Sequence, residues 1–247
     1  MSHFVLAPQL NTDAPSFSRR RESSDFATYA TGFPPPRERR NRAALTCLIA
    51  AVAITALLLL SGCASAPRGS FTNPKIMSVQ QWGGTPTDDP RARKHAISHI
   101  TLHHQGETFK PGRDPQQYLR DLQTWSRKTR LWIDIPYHYI IDLDGNIYEG
   151  RDINFAGDTN TQYDPAGHAL IEVVGNFEEV EPNQQQLDAV VSAMTMLAIK
   201  YKVPTEKISG HKDVASGTVC PGKNLYRYLE NGYFRDAVSA NLKVVVE

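Results

Sequence analysis

The stretch ALIEVVGNF, Ala169 to Phe177, decides how the chain is laid out. Almost every position is apolar, so a strand here presents nonpolar side chains to both of its faces. Such a strand belongs inside a sheet covered by helices, because a half-solvated strand alternates polar and apolar residues. One residue interrupts the run, the carboxylate of Glu172. Taking an ionised carboxylate out of water is costly, and burial disfavours the charged form. A raised pKa suits a general base that must take and return a proton near neutral pH. The bland alternative is an edge-strand Glu facing solvent, and burial logic favours the functional reading.

Outward from this strand, HAISHITLHH, His95 to His104, reads as a second one. Ile100 and Leu102 share a face with His104, while Thr101 and His103 share the other with His99. Asp114 can cap a helix beginning at Pro115, whose inward face is expected to hold Tyr118, Leu119, Leu122 and Trp125. IPYHYIIDLDGNIYEGR, Ile135 to Arg151, alternates about Asp144-Gly145, which is a hairpin signal. A loop rich in Gly, Asn and Asp follows from Ala156 to Gly167. Asn183, with Gln186 placed for a capping box, opens the longest helix. Its buried stripe is expected at Leu187, Val190, Val191, Met194, Leu197, Ala198 and Tyr201. NLYRYLENGYF, Asn224 to Phe234, suggests a last short helix. Strands broken by helices imply an α/β fold: a central, mostly mixed β-sheet flanked by helices, one domain over residues 79–240.

The chain has 247 residues, a net charge of +1 and 40% hydrophobic residues, which suits one domain plus extensions and gives no charge excess that suggests nucleic acid. With three cysteines at most one disulfide could form, so this is no disulfide scaffold. Residues 1–42 are polar and rich in Ser, Arg and Pro, and read as a disordered extension. Residues 43–63 then have the layout of an export signal: a basic flank, the uncharged run Ala43 to Leu60, and small residues at its end. LSGC, Leu60 to Cys63, resembles the lipobox of bacterial lipoproteins, which implies a lipidated Cys63 as the first mature residue. The alternative is an uncleaved single-pass anchor. Both put residues 64–247 outside the cytoplasm, held at the membrane by a tether over residues 64–78. In a Gram-negative cell, Ala64 at the position after the lipidated cysteine implies sorting to the outer membrane. Cys47 falls within the discarded signal, leaving Cys220 as the mature domain's thiol.

SGHKDVASGTVCPG, Ser209 to Gly222, places His211 nine residues ahead of Cys220. A catalytic zinc site has three protein ligands and a fourth position for water, and His103, on the polar face of a strand, can complete the set. Two neutral imidazoles and one thiolate leave the metal a net positive charge with which to activate water. Ligation also explains a lone thiol in an exported protein, where an exposed one would oxidise.

Together ITLHH (100–104), IPYHYIIDLDGNIYEGR, VVGNF (173–177) and GHKDVASGTVCPG (210–222) resemble the zinc-dependent N-acetylmuramoyl-L-alanine amidases, a family that includes phage lysozyme-type amidases and the peptidoglycan recognition proteins. QQWGG, Gln80 to Gly84, resembles the recognition-protein branch. The resemblance runs from about Trp82 to about Phe234 with the motifs in the family's order. It implies one zinc ion on His103, His211 and Cys220, with His104 a core or supporting residue. It implies Tyr137 directed at the zinc-bound water and substrate oxygen, Glu172 as base and Thr218 as a hydrogen-bond donor to the oxyanion. The reaction implied is hydrolysis of the amide between the N-acetylmuramic acid lactyl group and L-alanine in peptidoglycan or muropeptides; the protein is expected to be a monomer. Two other readings stay open: a non-catalytic peptidoglycan-binding module, and a thiol hydrolase using Cys220 as nucleophile.

The chain departs from the pattern in places. The His211 to Cys220 spacing is one residue longer than in recognition proteins, with Gly217 the accommodating insertion, and Thr218 stands where phage-type enzymes carry lysine. His168 and Leu170 replace a small polar residue and a glycine, a structural role being expected for His168. Asp152-Ile153 stand where some recognition proteins read the stem peptide, which leaves peptide preference open.

Overall fold

The computed structural model describes residues 71–246, so the N-terminal extension, the export signal and Cys63 lie outside the described residues. The apolar stretch that begins at Ala169 forms β5 (His168–Val173), flanked by β3 (Tyr139–Ile141) and β2 (His99–His104). With β1 (Ile76–Met77), β4 (Ile147–Glu149) and β6 (Ile208–Gly210) these make a six-stranded sheet of order β1-β4-β3-β5-β2-β6. Among the strands of the described residues, the β3–β4 hairpin is the one antiparallel pair, so the sheet is mixed.

Alternation along the strands divides the interior into two layers. Ala169, Ile171 and Val173, with Ile100 and Leu102, face a core closed by α2 (Gln184–Tyr201), α4 (Lys223–Glu230) and α5 (Tyr233–Val246). On the opposite face Ile140 and Val174 pack with Tyr118 and Leu119 of α1 (Pro115–Lys128) and with the fully buried Trp82. His103 and Glu172 lie on this second face, at paired positions of β2 and β5. β2, β5 and β6 run parallel, so their carboxyl ends emerge together. That edge is where parallel α/β sheets place ligands.

The helix starts follow local chemistry. Asp114 accepts the Gln116 amide at 2.9 Å, with Pro115 in the first turn. Asn183 and Gln186 complete the reciprocal capping box, at 2.9 and 3.3 Å. In the hairpin, Asp142 accepts the amides of Asp144 and Asn146, both at 2.9 Å. Gly145 sits at φ +77°, and a side chain there would meet the Gln185 carbonyl.

Three expectations need correction. Trp125 does not join the inward face of α1: it is 43% exposed, and Gln123 and Ser126 are buried instead. The reason is polar. Gln123 donates to the Thr85 carbonyl and to buried Asp134, both at 2.9 Å, which turns the helix so that Trp125 meets Trp132 edge-on at the surface. The second strand begins at His99 rather than His95. The last short helix is two, broken at Asn231-Gly232. Phe234 and Val238 of α5 enter the main core.

Candidate metal centre and catalytic cleft

His103 is the penultimate residue of β2, and His211 follows β6 directly as the first residue of α3 (His211–Val214). Cys220 is brought back by a turn in which the Lys212 amide donates to the Cys220 carbonyl at 2.8 Å. At the exposed tip of this turn Gly217 adopts φ +78° with open space around it. As a result one donor atom from each of His103, His211 and Cys220 lies within 4.8 Å of the others, all three residues being buried. The Cys220 Sγ is 3.6 Å from His103 Nδ1 and accepts the His104 amide at 3.4 Å.

This cluster is poorly satisfied as a purely organic one. His103 Nε2 is buried without a hydrogen-bond partner among the described residues. Burial pushes the Cys220 thiol up to about 12, against the pull of the His104 amide and with Glu172 adding to the rise. Burial also holds His103 well below the usual imidazole range and His211 at about 4. Two neutral imidazoles and a thiol that needs a cation to ionise are the donor set that suits zinc.

One hollow opens on the cluster, and a second adjoins it. One, of about 230 Å³, is lined by His103, His211, Cys220, Thr218 and Tyr137. The other, of about 360 Å³, is lined by Tyr137, Tyr118 and Glu172 and runs out to Trp125 and Trp132. Tyr137, half-buried, lies with its ring 5.1 Å from that of His103, and desolvation, then Glu172, holds its hydroxyl protonated well above pH 10. Glu172 is 1% exposed; its Oε1 accepts the Tyr118 hydroxyl at 2.9 Å, and its Oε2 is buried with no partner among the described residues. Desolvation raises this carboxyl to about 8, although the Tyr118 hydrogen bond works the other way. Thr218 Oγ1 accepts the Cys220 amide at 3.1 Å, which leaves the hydroxyl proton free to donate.

The side chains of the remaining singled-out residues make other contacts. His104 accepts the Phe177 amide through Nδ1 at 3.3 Å. His168 pairs with the Thr101 hydroxyl at 2.8 Å and stacks on His99. Asp152 is spent on a turn, accepting the Asn154 amide at 2.9 Å.

Sequence reasoning missed Tyr118, Thr161 and Arg151. Tyr118 was read as apolar filling, and the residue it meets is 54 positions away. Arg151 is 1% exposed and holds the loop after the hairpin: it donates to the carbonyls of Asp134, Ile135 and Ala156 and pairs with Asp158. A buried arginine of this kind is signalled only by its position at the end of a hairpin, which says nothing about what it holds.

A mixed sheet carries a buried His, His, Cys cluster that could hold a metal ion at the carboxyl ends of its parallel strands. Residues 93–223, more than half of the chain, match the family described as N-acetylmuramoyl-L-alanine amidase, and the chain belongs to that family. It is 28% identical to mouse Peptidoglycan recognition protein 1 over 179 residues, 71% of this chain and 94% of the mouse protein. It spans less than half the length of human Peptidoglycan recognition proteins 3 and 4, which it also matches. Among solved structures it is similar to Drosophila peptidoglycan recognition protein SD, at 26% identity and TM-score 0.58, covering 64% of this chain and 94% of that one. It is also similar to an N-acetylmuramoyl-L-alanine amidase from Clostridium intestinale, at 28% identity and TM-score 0.54, covering 65% and 97%. The family therefore includes both amidases and recognition proteins.

Proposed function

We propose that the protein is a zinc-dependent N-acetylmuramoyl-L-alanine amidase that hydrolyses the amide joining the N-acetylmuramic acid lactyl group to L-alanine in peptidoglycan or muropeptides. The observation that carries this reading is Glu172. Its unpaired carboxyl oxygen is buried on the same sheet face as His103, one strand from the donor cluster. A binding-only module has no use for a carboxyl kept at the cost of its solvation.

His103, His211 and Cys220 would hold the zinc, which when bound supplies Lewis-acid polarisation of the scissile carbonyl and acidifies the attacking water. Glu172 accepts the water's proton during attack and returns it to the leaving amine, and its burial favours the proton-bearing form between the two transfers. Tyr137, protonated throughout, donates a hydrogen bond to the oxyanion, and Thr218 is placed to offer a second. The hollow running from Tyr137 past Tyr118 towards Trp125 and Trp132 leaves room for substrate beyond the scissile bond.

Cys220 is less suited to be a nucleophile, because a thiol raised to about 12 is neutral at working pH. Release of free stem peptides from peptidoglycan by residues 64–247, abolished by chelation, is the expected result. Chelator resistance combined with iodoacetamide sensitivity would transfer the chemistry to Cys220. We further propose that Cys63 is lipidated and tethers the monomeric domain in the cell envelope, at the outer membrane facing the periplasm in a Gram-negative cell. No helix among the described residues is long and apolar enough to cross a membrane.

A further inference from the structure

His103 and Glu172 are oriented by the strands that carry them, and Cys220 by the His104 amide. The His211 ring has no such support, since it projects from a helix of four residues. Its hold comes from the far side of the cleft: Thr161 Oγ1 lies 2.7 Å from His211 Nε2. Thr161 Oγ1 in turn lies 2.8 Å from Thr159 Oγ1, which also accepts the Thr161 amide at 3.1 Å. These threonines stand on the irregular segment between Ala156 and Gly167. Arg151 pins its start through the Ala156 carbonyl and Asp158, and Arg130 reaches Asn160. The Tyr163 ring, 5.2 Å from that of His211 and edge-on to His168, closes the remaining side.

We propose that Thr161 is a positioning residue that fixes the tautomer of His211, taking the proton on Nε2 so that Nδ1 faces the zinc unprotonated. This rests on the zinc reading above and adds a residue to it. A neutral imidazole carries one N–H, and the nitrogen that binds a metal must be the other one. Thr161 can accept from Nε2–H because its own proton has an acceptor in Thr159, so the chain of hydrogen bonds runs from the ring outward. The reverse polarity would put the proton on Nδ1 and remove that nitrogen as a ligand. His103 also turns Nδ1 to the Cys220 thiol, but its Nε2 has no hydrogen-bond partner among the described residues.

The test compares wild type, Thr161→Val and Thr161→Ser in zinc competition against a chromophoric chelator, alongside the circular dichroism and thermal midpoint of the metal-free proteins. Valine keeps the shape and removes the hydroxyl. The expected result is a loss of zinc affinity of about 10- to 100-fold in the valine variant, with the metal-free fold intact and most of the affinity restored by serine. Equal affinity in wild type and Thr161→Val overturns the proposal, and so does a serine variant as weak as the valine one. A wild type that binds no zinc is a different failure: it removes the zinc reading and this proposal with it.

Discussion

Replacing Glu172 by Gln isolates the energetic consequence of a buried carboxyl. Glutamine keeps the shape and the Tyr118 hydrogen bond but cannot titrate. The native carboxyl is raised from 4.5 to about 8 because burial penalises its charge. In the unfolded chain it ionises near 4.5, so between pH 4.5 and 8 the native state holds a proton that the unfolded state has released. Stability from this group is therefore full below about pH 4.5 and is lost as pH rises towards 8. The slope is about 1.4 kcal/mol per pH unit, and the whole effect is roughly 5 kcal/mol as an upper bound. The measurement is urea unfolding of chelator-treated wild type and Glu172→Gln at intervals from pH 5 to 9. Metal is excluded because a divalent cation would change the carboxyl's titration. Histidines of the site are held low by burial and stabilise in the opposite direction below pH 6.5, but they occur in both proteins and largely cancel in the difference. The glutamine variant should gain on wild type steadily with pH and level off near pH 8. A difference that stays constant from pH 5 to 9 refutes a protonated native Glu172, and with it the argument that burial prepares this group as a base.

Tyr137→Phe removes one oxyanion donor and should lower kcat by about 10²- to 10³-fold with little change in zinc content, measured on a soluble muropeptide. Phe234→Ala should destabilise the domain by about 3–5 kcal/mol in urea titrations, because this ring is fully buried in the main core. Cys63→Ser should lose acyl-chain labelling and accumulate uncleaved precursor. Unchanged processing in that variant would favour an uncleaved anchor over lipidation.

The elements that the sequence made legible are those whose signals are local. The apolar run at β5, the Asp114 and Asn183 caps and the Asp144-Gly145 turn are each written within a few neighbouring residues. The alternation that separated His103 from Ile100 and Leu102 fixed which face holds the cluster before any partner strand was known. What escaped depends on distant partners. Trp125 was misplaced because apolar periodicity cannot register that Gln123 is drawn inward by Asp134. Tyr118 and Thr161 act through hydroxyls that meet Glu172 and His211 only once the sheet has assembled. The turn from His211 to Cys220 does close on His103, with Gly217 at positive φ at its exposed tip.

The central claim is that a zinc held by His103, His211 and Cys220 drives amide hydrolysis with Glu172 as the base. Metal analysis of the purified domain, paired with mass spectrometry of peptidoglycan it has digested, tests this most directly. About one zinc per chain together with release of free stem peptides starting at L-alanine is the expected result, both lost in Cys220→Ala. Undiminished release of the same peptides by a metal-stripped Cys220→Ala protein would contradict it.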